Sequence, residues 1–289
     1  MGCPGDIVYL SYFALMIVSC ISILTSTAII LLCCIGQVLE DFTQKIIIYM
    51  SLNDLIRSCS LIIPLFFESK DFICKFFGYT VVYTFIANVS WALCISSTLY
   101  LAIVKKRKDY EKYMKYWLLI TYPILGCIQA IPYATDSYGF DTGICTLKQD
   151  FYGSIWRFSL LYFPYWTSLI VSCWIFIKLN KSLKDSDSQS LKSLIMKRGY
   201  IYSLIIYLMV LFLSIVRIIQ LFNNSCTVQY FSLFTDSFLG LHGLLNGIAL
   251  LFNDNVQNVI KYRFCKQKNK ALILTSSSGL SFTDEGNIN

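Results

Sequence analysis

The sequence has little charge. Only 14% of its 289 residues are Asp, Glu, Lys or Arg, whereas 56% are hydrophobic and the mean hydropathy is +0.60. A soluble domain carries about a quarter charged residues, so this composition argues against a soluble all-α protein and indicates an integral membrane protein. The net charge of +7 is better explained by basic loops facing an anionic lipid leaflet than by nucleic-acid binding.

The sequence also lacks the patterns on which many enzymes depend. It has one histidine, His242, and no GxSxG, P-loop or HExxH pattern. None of the spacings of its 12 cysteines suggests zinc. We therefore predict that the protein is not an enzyme and that it holds no cofactor or metal.

Long apolar runs are abundant. A helix needs roughly 17 to 25 apolar residues to cross a bilayer, and seven such runs are present. They predict an all-α membrane protein, a bundle of seven transmembrane helices numbered in chain order. The predicted helices span residues 8–35, 45–67, 74–104, 113–133, 151–179, 197–222 and 230–252.

The residues after helix 7 differ in character from the bundle. Apolar residues recur at helical spacing, which predicts a short amphipathic helix on the inner leaflet; they are Val256, Val259, Ile260 and Phe264. Cys265 could carry a palmitoyl group or remain a free thiol. We place the transmembrane domain at residues 1–266 and a short cytoplasmic tail, predicted to be disordered, at residues 267–289.

Basic residues are distributed unevenly between the loops. Eighteen Lys and Arg fall at the start of helix 2, in and around the 3–4 and 5–6 loops and in the tail, whereas only Lys70, Lys75 and Lys148 fall on the other side. The positive-inside rule then puts the N-terminus outside the cell and the C-terminus in the cytoplasm.

Two cysteines lie on the predicted outer side. Cys74 begins helix 3 and Cys145 lies in the 4–5 loop, so an oxidising exterior permits a disulfide between them. Cys226, also outside, is then left over. The sequon at residues 223–225 makes Asn223 a weak glycosylation candidate, because it lies close to the membrane.

Ionisable and polar residues also occur inside helices, where they are costly unless paired. Asp54 and Arg57 lie three apart on one face of helix 2, and helix 7 carries His242 and Asn246 at overlapping depths. We predict a polar cluster of Asp54 with His242 or Asn246. Its role is either helix–helix adhesion or a rearranging switch, with or without a bound cation.

Two arginines lie near the predicted outer mouth of the bundle. Arg157 opens helix 5 and Arg217 is near the outer end of helix 6. Together they would suit an anionic ligand. Alternatively, they reach lipid headgroups or pair with Glu68 and Asp236.

Several motifs point to a family. Helix 3 carries "WALCISSTLYLAIVKK", followed by "YEKYMKYWLL", helix 5 carries "GSIWRFSLLYFPY", and helix 7 carries "HGLLNGIALLFND". These segments resemble the cyclic AMP receptor family of social amoebae and its cAMP-receptor-like relatives, which are G-protein-coupled receptors. The rhodopsin-like class fits poorly, because "IVKK" replaces DRY and NPxxY is missing. The family's proline after the helix 7 asparagines is also absent, since Val256 follows Asn255.

The resemblance implies a plasma-membrane receptor that binds an extracellular ligand and activates a heterotrimeric G protein. The G protein would contact the 5–6 loop and the end of helix 3, at Tyr100, Lys105, Lys106 and Arg107. The ligand site would include Arg157 and Arg217, with Glu68 and Asp236 beside them, and a cyclic nucleotide is one candidate ligand.

The alternative is a seven-helix transporter or channel. That class predicts a continuous polar path and helices broken by Gly or Pro. The sequence instead shows isolated polar residues and only 5 prolines.

Overall fold

Helices dominate the computed structural model, which describes residues 6–35, 42–66, 71–107, 109–141, 144–184, 189–222 and 225–251. These residues form seven long helical segments and one β-hairpin. The uninterrupted helices are helix 1 (Asp6–Ile35), helix 2 (Phe42–Ile62, then a 3₁₀ turn Ile63–Phe66), helix 3 (Asp71–Leu99, then a π-helical turn Tyr100–Val104) and helix 6 (Gln189–Phe222).

The other three helices are composite. Helix 4 comprises Tyr110–Tyr113, Met114–Leu119, Ile120–Ile124, Leu125–Gln129 and Ile131–Thr135, helix 5 comprises Phe151–Arg157, Phe158–Tyr162 and Phe163–Lys184, and helix 7 comprises Cys226–Gly240 and His242–Leu251. Helices 6 and 7 begin earlier than the predicted residues 197 and 230. In both helices, backbone hydrogen bonding starts in the polar residues that precede the apolar run on which the prediction was based.

The membrane-spanning character of these helices is uneven. Five are long and apolar enough to cross a membrane, and the two pieces of helix 7, bent by 40°, would make a sixth span. Helix 2 is not among them, and every 18-residue stretch of its α-helical part Phe42–Ile62 contains Lys45, Asp54 and Arg57. The expectation of an all-α membrane bundle is confirmed, whereas composition alone does not establish seven spans.

Prolines explain part of the helical irregularity. Pro164 has no backbone N–H, so the carbonyl of Leu160, four residues earlier, loses its usual donor. The chain forms the π-helical turn Phe158–Tyr162 at this point. The side-chain amide of Gln129 in helix 4 donates to the Leu160 oxygen at 3.1 Å instead. This hydrogen bond replaces the missing backbone donor of the Leu160 carbonyl and joins helices 4 and 5.

Helix 3 is the central element. Two thirds of the residues in its most apolar stretch are buried inside the bundle, whereas only 17% are in the corresponding stretch of helix 4. One core cluster joins helix 3 to helices 5 and 6 and contains Phe85, Ile86, Val89, Ala92, Tyr165, Ile206, Tyr207 and Val210. Helix 4 leaves large apolar side chains on the outside, including Leu119, Ile120 and Ile124, which is the surface expected of a lipid-facing helix.

A β-hairpin covers one end of the bundle, which we call the hairpin end. Its strands β1 (Tyr138–Asp141) and β2 (Ile144–Leu147) pair antiparallel. A disulfide joins Cys145 in β2 to Cys74 in the first turn of helix 3, which confirms the predicted bridge. Cys226 is also disulfide-bonded, so the expectation that it is left over is wrong.

Close packing supports the hairpin beneath this bridge. A Cβ at Gly78 in helix 3 would lie 3.1 Å from the Thr146 nitrogen, so glycine permits the backbone of β2 to approach. The Tyr138 hydroxyl donates to the backbone carbonyl oxygen of Gln129 at 2.7 Å, and burial raises the pKa of this tyrosine. The hairpin is therefore held by packing as well as by covalent attachment.

Ion pairs tie the hairpin end together at its surface. The carboxylate of Asp136 accepts from Lys75 at 2.6 Å and from Lys148 at 3.0 Å. Hydrogen bonds from these two ammonium groups lower the pKa of Asp136. The three residues connect helix 3, the loop before β1 and the residue after β2.

Some predictions fall outside the described residues. They concern Glu68, Asn223, Cys265, the amphipathic helix after helix 7 and the tail.

Candidate functional site

A buried polar cluster lies between helices 2, 3 and 7, and Asp54 is at its centre. One carboxylate oxygen accepts from Arg57 Nη2 at 2.9 Å and from Asn88 Nδ2 at 2.8 Å, and Asn246 Nδ2 donates to the other at 3.0 Å. His242 Nδ1 lies 2.9 Å from the first oxygen and 3.0 Å from the second. An ionised carboxylate only accepts, so Nδ1 is the protonated ring nitrogen in this pairing.

The structure thus brings together the four residues that sequence reasoning placed in this cluster. The prediction offered His242 or Asn246 as the partner of Asp54, and both make the contact. Asn88 was missed as a partner, although its position between apolar neighbours in the middle of helix 3 was a signal. Asn53 was missed as well; its Nδ2 donates to the Asn88 oxygen at 3.0 Å and so orients the Asn88 amide toward Asp54.

Burial makes this cluster energetically demanding. Asp54 and His242 are 0% exposed and Arg57 is 3% exposed. Charges removed from water must be both paired and hydrogen-bonded to be tolerated. The Asp54 carboxylate meets that condition with four donors. Asn246 Oδ1 and Arg57 Nη1, in contrast, have no hydrogen-bond partner among the described residues.

Helix 7 changes direction at the cluster. The α-helix ends at Gly240 and resumes at His242. Beside this break, a Cβ at Gly243 would lie 2.5 Å from Ser22 Oγ and 2.7 Å from Ser26 Oγ, so glycine is required for helix 7 to approach helix 1. The bend and the close approach place His242 against Asp54.

A cavity of about 110 Å³ lies near the hairpin end. It is smaller than most small-molecule sites, which measure about 300–1,000 Å³. Helices 1, 2, 3, 5, 6 and 7 and the hairpin strand β2 all contribute to its lining. Most of the walls are apolar, for example at Leu15, Val82, Phe85, Leu161, Leu213 and Leu239.

Three arginines and one aspartate interrupt these apolar walls. Arg217 Nη2 lies 2.8 Å and 3.1 Å from the two oxygens of Asp236, so the structure forms one of the pairs that the sequence left open. Arg157 donates to the Leu147 carbonyl of the hairpin. Arg57 lines the cavity as well, although the sequence placed it only in the polar cluster. The lining is therefore predominantly positive.

The opposite end of helix 3 is exposed and basic, and we call it the basic end. Lys105, Lys106 and Arg107 are exposed there, and Lys106 has a positive φ of 50° that turns the chain out of the helix. Tyr100 lies half-buried, its ring centroid 5.7 Å from that of Trp174 in helix 5. Arg107 Nη1 donates to the Tyr113 hydroxyl at 3.0 Å and so reaches helix 4.

These features define a multi-pass, predominantly helical membrane protein with an arginine-lined cavity at one end and exposed cations at the other. The protein belongs to the slime mold cyclic AMP receptor family, which it matches over residues 6–283. This match confirms the resemblance seen in the motifs of helices 3, 5 and 7. It also points to a receptor rather than an enzyme.

Two curated proteins are similar to the chain. "G-protein coupled receptor 1" of Arabidopsis thaliana is 24% identical over 259 residues, which cover 85% of this chain and 78% of that protein. "Cyclic AMP receptor-like protein A" of Dictyostelium discoideum is 26% identical over 225 residues, 76% of this chain. The chain spans 58% of the length of the Dictyostelium protein.

Proposed function

We propose that the protein is a seven-helix receptor of the plasma membrane that binds an extracellular ligand and activates a heterotrimeric G protein. Membership of a receptor family supports this proposal, as does the similarity to a protein named as a G-protein-coupled receptor. The ligand enters the cavity at the hairpin end, and the G protein binds at the basic end.

The hairpin end faces the outside in this proposal. The Cys74–Cys145 disulfide belongs to an oxidising compartment, whereas the exposed cations of the basic end suit the cytoplasmic side. Helix 2 spans the membrane with the other six. It packs against helices 1 and 3, and its charged residues Asp54 and Arg57 are buried inside the bundle rather than directed at lipid.

The cavity carries the proposal. Its apolar walls would hold a flat, uncharged ring, and Arg157 and Arg217 would bind an anionic group. Asp236 orients Arg217 and limits the positive charge. A cyclic nucleotide has both parts, and the family description and the Dictyostelium relative each name cyclic AMP. Cyclic AMP is therefore our first candidate ligand.

The G-protein surface comprises Tyr100, Lys105, Lys106 and Arg107 together with the 5–6 loop. Exposed cations attract acidic surfaces and speed association. The contact of Tyr100 with Trp174 ties this surface to helix 5. Movement of helices 5 and 6 relative to helix 3 would open it, and the cluster around Asp54 rearranges as the switch between the two states.

Nucleotide exchange tests the proposal. The full chain, purified into nanodiscs, is mixed with a heterotrimeric G protein and challenged with cyclic AMP, cyclic GMP, adenosine monophosphate and adenosine. We expect at least one phosphate-containing compound to accelerate exchange several-fold over receptor without ligand. Solute flux through proteoliposomes, with no effect of any compound on exchange, would instead establish the transporter or channel alternative.

A further inference from the structure

Arg57 belongs to both sites. Its side chain is 3% exposed and lines the cavity. Its Nη2 donates to Asp54 Oδ1 at 2.9 Å and to the Leu239 oxygen at 3.4 Å, the last from the end of the first piece of helix 7. One nitrogen of the guanidinium thus holds the polar cluster while the side chain faces the cavity.

The other terminal nitrogen has no such role. Arg57 Nη1 is buried and has no hydrogen-bond partner among the described residues. A guanidinium carries five N–H donors, remains charged, and loses free energy when a buried donor is left unpaired. The same residue lines the cavity, so a small shift of its side chain would present these N–H groups to an acceptor held there.

We infer that Arg57 Nη1 forms an anion subsite in the cavity and that the ligand's phosphate occupies it, which links ligand binding directly to Asp54. This inference rests on the proposed function, since it assigns a new contact and a route of transmission to the same cavity. A phosphate suits the subsite because its oxygens can accept from Arg57 and from a second arginine of the lining at once.

The link to Asp54 follows from the shared guanidinium. A phosphate on Nη1 competes with Asp54 for the positive charge of Arg57. When the ion pair between Arg57 and the Asp54 carboxylate weakens, the hydrogen bonds of Asp54 with His242 and Asn246 carry more of its stabilisation. Both of these residues belong to the second piece of helix 7. Ligand binding therefore acts on helix 7 beside its break.

Thermodynamic reciprocity makes this route testable. If the ligand weakens the Asp54–Arg57 contact, then removing the charge of Asp54 must strengthen ligand binding by the same coupling factor. Asp54→Asn should accordingly tighten binding, but only while Arg57 is present. A residue that merely supports the fold would not produce this pattern.

The experiment measures the dissociation constant of cyclic AMP for the full chain in nanodiscs, with adenosine and inorganic phosphate as separate probes. The variants are Arg57→Gln, Arg57→Lys, Asp54→Asn and the double variant Asp54→Asn/Arg57→Gln. Lys115→Gln, which removes one exposed positive charge on helix 4, is the matched control. A lysine can keep the pair with Asp54, but it lacks the second nitrogen of the guanidinium fork.

We expect Arg57→Gln and Arg57→Lys each to weaken cyclic AMP binding at least tenfold and the control to change it less than twofold. Adenosine binding should be unchanged. Asp54→Asn should tighten cyclic AMP binding several-fold in the parent chain and leave it unchanged in the Arg57→Gln background. If Arg57→Gln does not fold, the Arg57→Lys result decides.

Cyclic AMP binding that is equal in the parent chain and in Arg57→Lys would overturn the subsite while leaving the receptor proposal intact. An equal effect of Asp54→Asn with and without Arg57 would overturn the link to the cluster. If the parent chain binds none of the phosphate probes but a neutral ligand stimulates exchange, the subsite also fails. Tight binding without any stimulated exchange would instead count against the receptor proposal alone.

Discussion

His242 Nδ1 lies 2.9 Å from Asp54 Oδ1, a contact that joins residues 188 positions apart in the chain. Both side chains are completely buried, and they connect helix 2 to helix 7 beside the break in helix 7. Any change in the direction of helix 7 must therefore be accommodated at this pair.

Asp54→Ala should strongly destabilise the bundle. It leaves the guanidinium of Arg57 buried without its carboxylate, and breaking a buried pair in this way costs about 3–5 kcal/mol. Thermal unfolding of the protein in nanodiscs, followed by intrinsic fluorescence, measures the loss. Asn53→Ala is the comparison, because it removes one uncharged hydrogen bond worth about 1 kcal/mol. Equal effects of the two variants would contradict the central role of Asp54.

Gly243→Ala should destabilise the approach of helix 7 to helix 1. The added Cβ would lie 2.5 Å from Ser22 Oγ, and such overpacking typically costs about 1–3 kcal/mol. Gly247→Ala is a matched control on the same helix. Its Cβ would meet Ile29 Cδ1 at an ordinary 3.5 Å, so helix propensity should make that change neutral or stabilising by up to about 1 kcal/mol.

Unfolding of the two variants in parallel checks this pair. Adding Ser22→Ala to Gly243→Ala should restore part of the lost stability, because one of the two clashing hydroxyls is then absent. A Gly243→Ala variant as stable as Gly247→Ala would show that helix 7 does not approach helix 1 as closely as the structure places it.

Cys74→Ser should destabilise the hairpin end. The disulfide joins residues 71 positions apart, and the loss of such a bridge typically costs about 2–4 kcal/mol. Cys74→Ser/Cys145→Ser should unfold at the same temperature as either single variant, since one bridge is lost in each case. Cys127→Ser removes an exposed free thiol and should have little effect.

Acidification should weaken the surface ion pairs around Asp136. Because Lys75 and Lys148 lower the pKa of Asp136 in the folded state, its contribution is present above the unfolded value of about 3.9 and is lost as pH falls through the folded value. The difference in unfolding temperature between the parent chain and Asp136→Asn should be constant from pH 5 to 7 and shrink below about pH 4. A difference that grows on acidification would contradict this assignment.

Lys105→Gln/Lys106→Gln should reduce ligand-stimulated nucleotide exchange and make it less sensitive to salt, because fewer exposed cations then guide the G protein. Ligand affinity in the absence of G protein should remain unchanged, since both residues are at the basic end. A salt titration of the exchange rate, with Lys148→Gln at the hairpin end as the control, measures the effect.

Much of this architecture was predictable because the membrane constrains it. The lengths of the apolar runs predicted the helices. The matching depths of Asp54 and His242 in the membrane predicted that these two residues pair. Spacing along one helix does not, however, fix how that helix is rotated against its neighbours. The sequence therefore placed Arg57 beside Asp54 without revealing that it lines the cavity.

The sequence also did not predict the hydrogen-bond partner of Asp54 that lies among apolar residues in helix 3. Asn88 lies in an apolar stretch of helix 3, where nothing in the sequence specifies which helix it faces. The lengths of the apolar runs also do not predict where a helix bends. Pro164 marks the irregular turn in helix 5, but the donor that satisfies the Leu160 carbonyl is Gln129 on another helix.

The disulfide between the hairpin and helix 3 makes two walls of the cavity different: one is covalently attached to the hairpin and the facing one is not. Strand β2 and helix 3 are joined at Cys74–Cys145 and packed closely at Gly78, so β2 is held against helix 3 at two points. Helices 6 and 7 form the facing wall and have no such link to the hairpin among the described residues. In the proposed receptor, a ligand between the two walls would draw helices 6 and 7 toward the hairpin, and this movement would carry the signal.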